Sequence, residues 1–371
     1  MKYLNKIGLS AKKATIQLNK ISDFKINNYL IFVLLATVCD VMPLRKINKI
    51  IASNVIKGFK INDNAIFKFI FEQLNLNKKL SIDDLGYLIG PIINSGGRLG
   101  FSNYGVELLT TDNLKLIKKR SIELIKLNEK RKLLEQNILD QIDYEKISKN
   151  NNNVIIYYNA NLNEGLIGII AARLKDYFNK PSIVITKSNN ILKASARSTS
   201  NYNIGNLIKL LIDKKIIENG GGHNMAAGFS IKKNKLKSLN DFIQKDYSYK
   251  NLDNNLPYKY ESEVSASIIN TQFMDEINKL GPFGNHNFMP IFMIKNVKII
   301  KSSIVNKKHI SAIVKPNIGS SFKSICFNCV NTLVGNYLLS YKKHIDIIGE
   351  INENIWNNKK SVQLNIKDLI L

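Results

Sequence analysis

Two short motifs carry side chains suited to binding phosphate groups. In "SARS", Arg197 stands between Ser195 and Ser198 at the end of a predicted strand. A guanidinium presents a planar pair of donors that matches a phosphate, and the neighbouring hydroxyls can add hydrogen bonds. A surface arginine at a strand end would explain the same residues without a ligand, so this motif alone leaves both interpretations open.

The second motif, "GGGH", joins Gly220, Gly221 and Gly222 to His223. We predict a turn between a helix and a strand, where backbone N–H groups can approach an anion because no side chain intervenes. The imidazole can donate to a phosphate oxygen or supply a proton. An ordinary glycine turn beside a surface histidine is the competing interpretation. Both motifs fall at strand ends of one predicted α/β unit, where ligand crevices form, so together they favour phosphate binding.

Two further candidates precede these motifs. Arg98 follows paired glycines in "NSGGR", and Asp40 follows an apolar run in "ATVCDVMPL". A carboxylate in an apolar setting is costly unless it is paired or bound to a metal. A helix cap is the competing interpretation of Asp40.

The elements that must position these residues follow from periodicity. Residues 1–110 have a helical pattern, and residues 111–149 form a long charged helix whose apolar stripe is interrupted by Asn128 and Arg131. Strands and helices alternate over residues 150–250. From residue 255 onward, five strand-like segments and one helix near 270–280 predict a small closed barrel of the oligonucleotide-binding type.

Composition limits the possible classes of protein. The chain has 371 residues, of which 44% are hydrophobic and 22% charged, which is typical of a globular protein of roughly two or three domains. The formal net charge of +25 favours a polyanion as partner, although a bias toward Asn, Lys and Ile would raise the charge without such a partner. Three cysteines form no disulfide framework, and the lone "CFNC" lacks the other ligands of a zinc site. With no bilayer-length apolar stretch and no export signal, we expect a cytoplasmic protein without membrane contact.

Several motifs together resemble the RecJ family of DHH phosphoesterases. "ATVCDVMPL", "GPIINSGGRLG", "LNEKRKLLEQ", "EGLIGIIAARL", "SARS", "GGGHNMAAG" and "GPFGNHNFMP" occur in the family's order and at about its spacing. The resemblance covers almost the whole chain. It implies part of a DHH domain in residues 1–110, a connecting helix in 111–149, a DHH-associated α/β domain in 150–250 and an oligonucleotide-binding barrel in 255–371.

The resemblance also implies an activity. RecJ-like enzymes are exonucleases of DNA repair and recombination that hydrolyse single-stranded DNA in the 5′→3′ direction, using two manganese or magnesium ions. Asp40 matches a metal-ligand position, and His223 matches the motif that orients the scissile phosphate, so the implied catalytic residues are His223 and Asp40. The implied phosphate- and DNA-binding residues are Ser195, Arg197, Ser198, Arg98, Gly220, Gly221, Gly222, Asn128 and Arg131.

The sequence departs from the family chiefly in its metal ligands, because no Asp-His-His triplet occurs. Two smaller departures are Asn163, where the family usually has histidine, and Lys49, where it usually has arginine. One carboxylate, Asp40, cannot hold two hard cations, each of which takes several oxygen ligands. We therefore expect the chain to lack the N-terminal DHH portion. A separately encoded DHH fragment as partner, a misassigned start and a loss of catalysis are the explanations that remain open.

Three functions follow as hypotheses. The first is a RecJ-like exonuclease, in truncated or split form. The second is a non-catalytic remnant that binds single-stranded nucleic acid, which would show salt-sensitive binding without hydrolysis. The third, a DHH phosphoesterase of short or small phosphodiesters, is disfavoured by the barrel that follows residue 255.

Overall fold

The described residues from 26 to 149 are mainly helical. The computed structural model describes residues 26–249, 259–340, 344–356 and 359–370, so residues 1–25 of the predicted first segment lie outside it. The helices of this part are α1 (Leu30–Cys39), α2 (Lys46–Gly58), α3 (Ala65–Gln73), α4 (Gly90–Arg98), α5 (Asn103–Thr110), α6 (Leu114–Asp140) and α7 (Tyr144–Lys149). The apolar run before Asp40 is therefore helix α1.

The second part alternates strands and helices, as the periodicity predicted. Its elements are β1 (Ile155–Tyr158), α8 (Ile167–Phe178), β2 (Ser182–Ser188), β3 (Ile191–Arg197), α9 (Ile204–Asp213), β4 (Asn219–His223), β5 (Ala226–Ile231) and α10 (Leu236–Tyr249). The strands form one sheet in the order β1-β2-β3-β5-β4, in which only β1 and β2 run parallel to each other.

The third part contains β6 (Ser262–Glu263), α11 (Thr271–Asn278), β7 (Ile291–Val305), β8 (His309–Pro316), β9 (Phe322–Cys326), α12 (Leu333–Ser340), β10 (His344–Trp356) and β11 (Lys359–Ile370). The strand order β7-β8-β9-β11-β10 closes because β10 also pairs with β7. The predicted barrel is thus confirmed, with a helix, α12, that the sequence interpretation missed.

Contacts divide the chain into two compact units. The sheet unit comprises Ile61–Lys78 and Tyr87–Leu256, and the barrel unit comprises Met1–Lys60, Lys79–Gly86 and Pro257–Leu371. Helices α1 and α2 therefore belong to the barrel unit, whereas α3 to α10 belong to the sheet unit.

Both faces of the sheet are buried at strand β2. Ile183 and Ile185 pack on one face against α9 and α10, and Val184 packs on the other face against α8. Burial of each such side chain contributes about 1.5–3 kcal/mol. These two cores hold α8 and α9 on opposite faces of the sheet.

Asparagine side chains begin several helices. The Oδ1 atoms of Asn64, Asn113, Asn203 and Asn270 accept backbone N–H groups in the first turns of α3, α6, α9 and α11. A cap of this kind contributes about 1 kcal/mol. The asparagine-rich composition therefore has a structural role at these helix ends.

No helix of the described residues is both long and apolar enough to cross a membrane.

Candidate phosphate-binding site

The site begins on strand β3. Residues along this strand alternate, with Leu192, Ala194 and Ala196 buried in the core beneath α9 and α10. Ser195 and Arg197 therefore lie on the opposite face, toward α8. The Arg197 guanidinium donates to the Ala196 carbonyl oxygen (2.9 Å) and more weakly to Ser195 Oγ (3.4 Å).

Helix α8 approaches these two side chains closely. A Cβ atom on Gly168 would lie 3.1 Å from Ser195 Oγ and 3.2 Å from Arg197 Nη2. A larger residue would push the helix or the guanidinium away, so glycine in the first turn permits the close approach. The first turn also brings the positive end of the helix to Ser195 and Arg197.

Arg98 reaches the same end of α8. Its guanidinium donates to the Gly165 carbonyl oxygen at 3.1 Å. A Cβ atom on Gly165 would lie 2.2 Å from the Arg98 carbonyl oxygen, so the two backbones are in direct contact. Arg98 and Arg197 are therefore held at one helix terminus by residues without side chains.

The guanidinium groups are partly removed from water. Burial is the main cause that lowers the pKa of both Arg98 and Arg197. Repulsion from Arg131 and Arg197 lowers the pKa of Arg98 further, while Glu135 opposes the shift. Arginine stays charged in proteins despite such shifts, so the cluster favours an anion that would relieve the repulsion.

An ion-pair network lies beside this cluster on α6, with Arg131 and Glu135 buried and Arg173 exposed. Arg131 donates to Asn128 Oδ1 (3.1 Å) and to Glu135 Oε2 (2.9 Å), and Arg173 of α8 donates to Glu135 Oε1 (2.7 Å). Glu135 thereby joins α6 to α8. The hydrogen bonds of Asn128 and Arg131 are to protein groups, and their assignment to DNA binding stays a prediction.

The sequence interpretation did not include Glu135 or Arg173. A signal for Glu135 was present, because the buried side of α6 consists of Ile117, Ser121, Leu124, Asn128, Arg131 and Glu135 at alternating spacings of four and three residues. A carboxylate four residues after a buried arginine on the same stripe indicates an ion pair.

Ser198 uses its hydroxyl within the fold. The side chain is buried and donates to the Tyr202 carbonyl oxygen, which closes the loop before α9. Its role in phosphate binding stays a prediction.

The "GGGH" motif is an exposed edge strand, and the predicted glycine turn was wrong. Residues Asn219–His223 pair antiparallel with β5, and the turn lies after them, at Asn224 and Met225. Two of the glycines are needed for packing, since a Cβ atom would lie 2.7 Å from Phe229 Cβ at Gly220 and 2.4 Å from the Ala226 carbonyl oxygen at Gly222. At Gly221 a Cβ atom would meet nothing within 4 Å.

His223 is the last residue of β4, and its side chain projects from the same face of the sheet as that of Arg197. Both residues pair in register with Ala226, which lies between them on β5. Directly paired residues of an antiparallel sheet project from the same face, so the guanidinium and the imidazole project from one face at two strand spacings, roughly 10 Å apart at the backbone.

The surface between these two side chains has almost no side chains of its own. The neighbouring row of cross-strand pairs on this face consists of Ser195, Gly228 and Gly221. Ala226, from the first row, and Gly228 and Gly221, from the second, therefore form the floor. We call this surface the shelf: a floor of Ala226, Gly228 and Gly221 flanked by Ser195 and Arg197 on one side and His223 on the other. Gly221 and Gly228 are exposed.

His223 itself is accessible. Its Nδ1 atom accepts a long hydrogen bond from the Met225 N–H (3.4 Å), which favours the tautomer with the donor on Nε2, and the residue is exposed. On the other face of the sheet, α9 fixes the backbone here, because a Cβ atom on Gly205 would lie 3.0 Å from the His223 carbonyl carbon. The imidazole can therefore donate to a group on the shelf.

Asp40 belongs to the barrel unit and is exposed. It lies at the C-terminal end of α1, where the helix dipole does not favour a carboxylate. Asp40 is the C-cap residue of α1, and its N–H donates to the Ala36 carbonyl oxygen (2.9 Å), so the competing interpretation as a helix cap holds at this end of the helix. After burial, the Asp40 charge is the second cause that raises the pKa of the neighbouring Cys39 thiol.

Divalent cations do not fit the residues present. Among the described parts of the chain, no group of three or more His, Cys, Asp or Glu side chains is arranged to hold a metal ion. Asp40 alone supplies too few of the oxygen ligands that magnesium or manganese needs.

Comparison with known proteins relates both units to one family. The RecJ OB domain model matches residues 260–368, and the DHHA1 domain model matches residues 151–248. The single-stranded-DNA-specific exonuclease RecJ of Bacillus subtilis is 26% identical, over 99% of this chain and 46% of that protein. RecJ of Escherichia coli is 28% identical, over 87% of this chain and 60% of that protein.

A solved structure shares the fold. The structure of RecJ in complex with Mg²⁺ from Thermus thermophilus superimposes with a TM-score of 0.77 at 18% identity, over 95% of this chain and 54% of the other. The chain thus spans about half the length of the relatives it matches. The matched domains, their order and the shared fold identify the chain as a RecJ-like protein of the DHH superfamily.

Proposed function

We propose that the chain is part of a single-stranded-DNA-specific 5′→3′ exonuclease of DNA repair and recombination, and that its own share is to capture the 5′-phosphorylated end. The observation that carries this proposal is the shelf. Arg197 and His223 project from the same face of the sheet, on either side of a floor of Ala226, Gly228 and Gly221. The two donors can bind an anionic chain, and the small residues between them leave room for its sugar-phosphate backbone.

The terminal phosphate would bind beside the first turn of α8. Arg197, Arg98 and the Ser195 hydroxyl supply donors there, and each hydrogen bond to a charged group contributes about 1.5–3 kcal/mol. The cluster of Arg98, Arg131, Arg173 and Arg197 outnumbers its one paired carboxylate, Glu135, among the interactions described. A phosphate dianion would neutralise this excess of positive charge.

The following phosphate would cross the glycine floor toward His223. Without side chains, Gly221 and Gly228 allow a sugar-phosphate backbone to approach the sheet closely. The Nε2–H of the exposed His223 would then donate to a phosphate oxygen, which orients that group.

The barrel would hold the strand beyond the captured end. Lys298 and Lys315 are both exposed and lie directly opposite each other on β7 and β8. Like charges in this arrangement destabilise a sheet, and a polyanion relieves the repulsion. At the other end of β8, the ring of His309 is in T-shaped contact at 5.2 Å with the ring of Phe327, which follows β9 and is exposed for stacking on a base.

The described residues do not by themselves complete a hydrolytic site. The Thermus structures hold Mg²⁺ or Mn²⁺, and we propose manganese or magnesium for the complete nuclease, with Asp40 as one ligand. The remaining ligands would come from a DHH segment, in the same polypeptide or a separate one, acting in the cytoplasm.

The second candidate is a non-catalytic protein that binds single strands. It is favoured by the lack of a metal-binding group among the described residues. Both candidates use the shelf and the barrel, so they differ only in hydrolysis.

A fusion distinguishes them. The chain is joined to the part of the Bacillus subtilis relative that it does not match, and a single-stranded oligonucleotide is incubated with the chain or with the fusion in the presence of Mn²⁺. The exonuclease proposal expects mononucleotide release from the 5′ end by the fusion. Tight binding without release by a folded fusion would leave only the second candidate.

A further inference from the structure

The segment that enters the barrel contacts the residues next to Asp40. Residues 281–290, here called the clasp, connect α11 to β7, and residues 40–45, here called the connector, join α1 to α2. Both belong to the barrel unit. The Leu44 N–H donates to the Asn285 carbonyl oxygen (2.8 Å), and the Asn285 side-chain amide donates to the Val41 carbonyl oxygen.

Further contacts fix the two segments to each other. Arg45 Nε donates to the His286 carbonyl oxygen (2.7 Å), and Lys49 donates to Asn287 Oδ1 (3.3 Å). The buried Leu44 side chain fills the space at Gly284, where a Cβ atom would lie only 2.5 Å from Leu44 Cδ1. The clasp therefore contacts the connector through both hydrogen bonds and packing.

Val41 has an unfavourable backbone conformation. Its φ angle is +54°, in the left-handed region that a β-branched residue rarely adopts. Surrounding contacts must hold such a residue in place. The Asn285 amide is bonded to the carbonyl group of this residue, one position after Asp40.

We propose that Asn285 is a positioning residue, which holds Val41 in the left-handed region and thereby sets the direction of the Asp40 carboxylate. If Val41 returned to a common conformation, the peptide groups on either side would rotate and the adjacent aspartate would turn with them. The relevance to catalysis rests on the proposed function, in which Asp40 is a metal ligand. Because the clasp leads directly into β7, one segment would fix both the aspartate and the first long barrel strand.

The test removes the amide donor of Asn285 in two different variants. Asn285→Asp removes the amide donor, and Asn285→Ala removes the side chain without adding charge. Asn270→Asp is the matched control, because Asn270 caps α11 in the same unit and aspartate caps equally well. Hydrogen exchange of the amides of Val41, Met42 and Leu44 is measured by mass spectrometry on the purified chain.

We expect both Asn285 variants to increase exchange in the connector about tenfold, with Asn270→Asp unchanged. Unchanged exchange in the Asn285 variants would overturn the proposal. In the active fusion, Asn285→Asp should lower kcat and leave the affinity for 5′-phosphorylated DNA unchanged, and an unchanged kcat would overturn the positioning role. If connector exchange rises but the wild-type fusion has no nuclease activity, the proposed function fails and the structural role of Asn285 stands.

Discussion

Arg197 and His223 project from the same face of one sheet, and each pairs in register with Ala226 between them. This relationship joins two motifs that are separated in the sequence by a helix and a turn. It explains why a strand of glycines precedes the histidine. Any side chain at Gly221 would stand on the surface that the arginine and the imidazole flank.

A side chain placed on the shelf should block binding without unfolding the protein. At Gly221 a Cβ atom would meet nothing within 4 Å, and the residue has no positive φ angle. We therefore expect Gly221→Leu to weaken binding of a single-stranded oligonucleotide at least about tenfold, with the free energy of unfolding changed by less than about 1 kcal/mol. Fluorescence anisotropy and urea denaturation measure the two effects.

The neighbouring glycine provides the contrast. Gly220→Ala introduces a Cβ atom 2.7 Å from Phe229 Cβ and should lower the free energy of unfolding. Normal DNA binding by Gly221→Leu would show that the strand does not cross the shelf.

His223 should affect turnover more than binding. In the active fusion, we expect His223→Ala to reduce kcat at least about tenfold, because the donor that orients the scissile phosphate is lost. The KM for single-stranded DNA should change far less. Single-turnover kinetics measure the step directly, and a rate equal to that of the wild-type fusion would make His223 an ordinary surface residue.

Glu135 should stabilise the arginine cluster. Glu135→Gln removes the buried charge that pairs with Arg131 and Arg173, so we expect the free energy of unfolding to fall by about 2–4 kcal/mol. Sulfate should restore more stability to this variant than to the wild type, since the anion would neutralise the cluster. Glu129→Gln on the exposed side of the same helix is the control. An equal effect of sulfate on both variants would argue against an anion site here.

Barrel lysines should contribute to the salt dependence of binding. Log affinity for single strands falls with log salt with a slope of about −0.7 for each phosphate neutralised. The double variant Lys298→Ala, Lys315→Ala should therefore reduce the slope by about 1.4. Lys209 on α9 and Lys237 on α10 lie on the helices that cover the face of the β1–β5 sheet opposite the shelf. Replacing these two lysines should leave the slope unchanged. Equal slopes for both double variants would show that Lys298 and Lys315 do not contact the bound strand.

The sequence predicted the elements better than their junctions. Alternation at Val362, Leu364 and Ile366 predicted strand β11, and β3, also predicted as a strand, has the alternating burial of a strand with one face in the core. The glycines of β4 have no such alternation and low strand propensity, so the motif resembled a turn. Only pairing with β5 makes it a strand, and that pairing depends on a hairpin whose turn lies beyond the motif.

The charged groups of the site were predicted in part. Arg98 and Arg197 followed from their motifs, whereas Glu135 did not, because a buried carboxylate is understood only when its partners on α6 and α8 are known. Asp40 illustrates a further limit. The Asn285 amide that donates to the next residue, Val41, belongs to a loop more than 240 residues later in the chain.

The most direct test of the account compares two oligonucleotides that differ only at their 5′ end. Dissociation constants are measured for 5′-phosphorylated and 5′-hydroxyl strands with the wild-type chain, Arg197→Ala and, as an exposed-cation control, Lys209→Ala. We expect the wild type and the control to favour the phosphorylated strand at least about tenfold, and Arg197→Ala to lose most of this ratio while its affinity for the 5′-hydroxyl strand stays nearly constant. An Arg197→Ala variant that weakens both strands equally would contradict capture of the 5′ phosphate at the shelf.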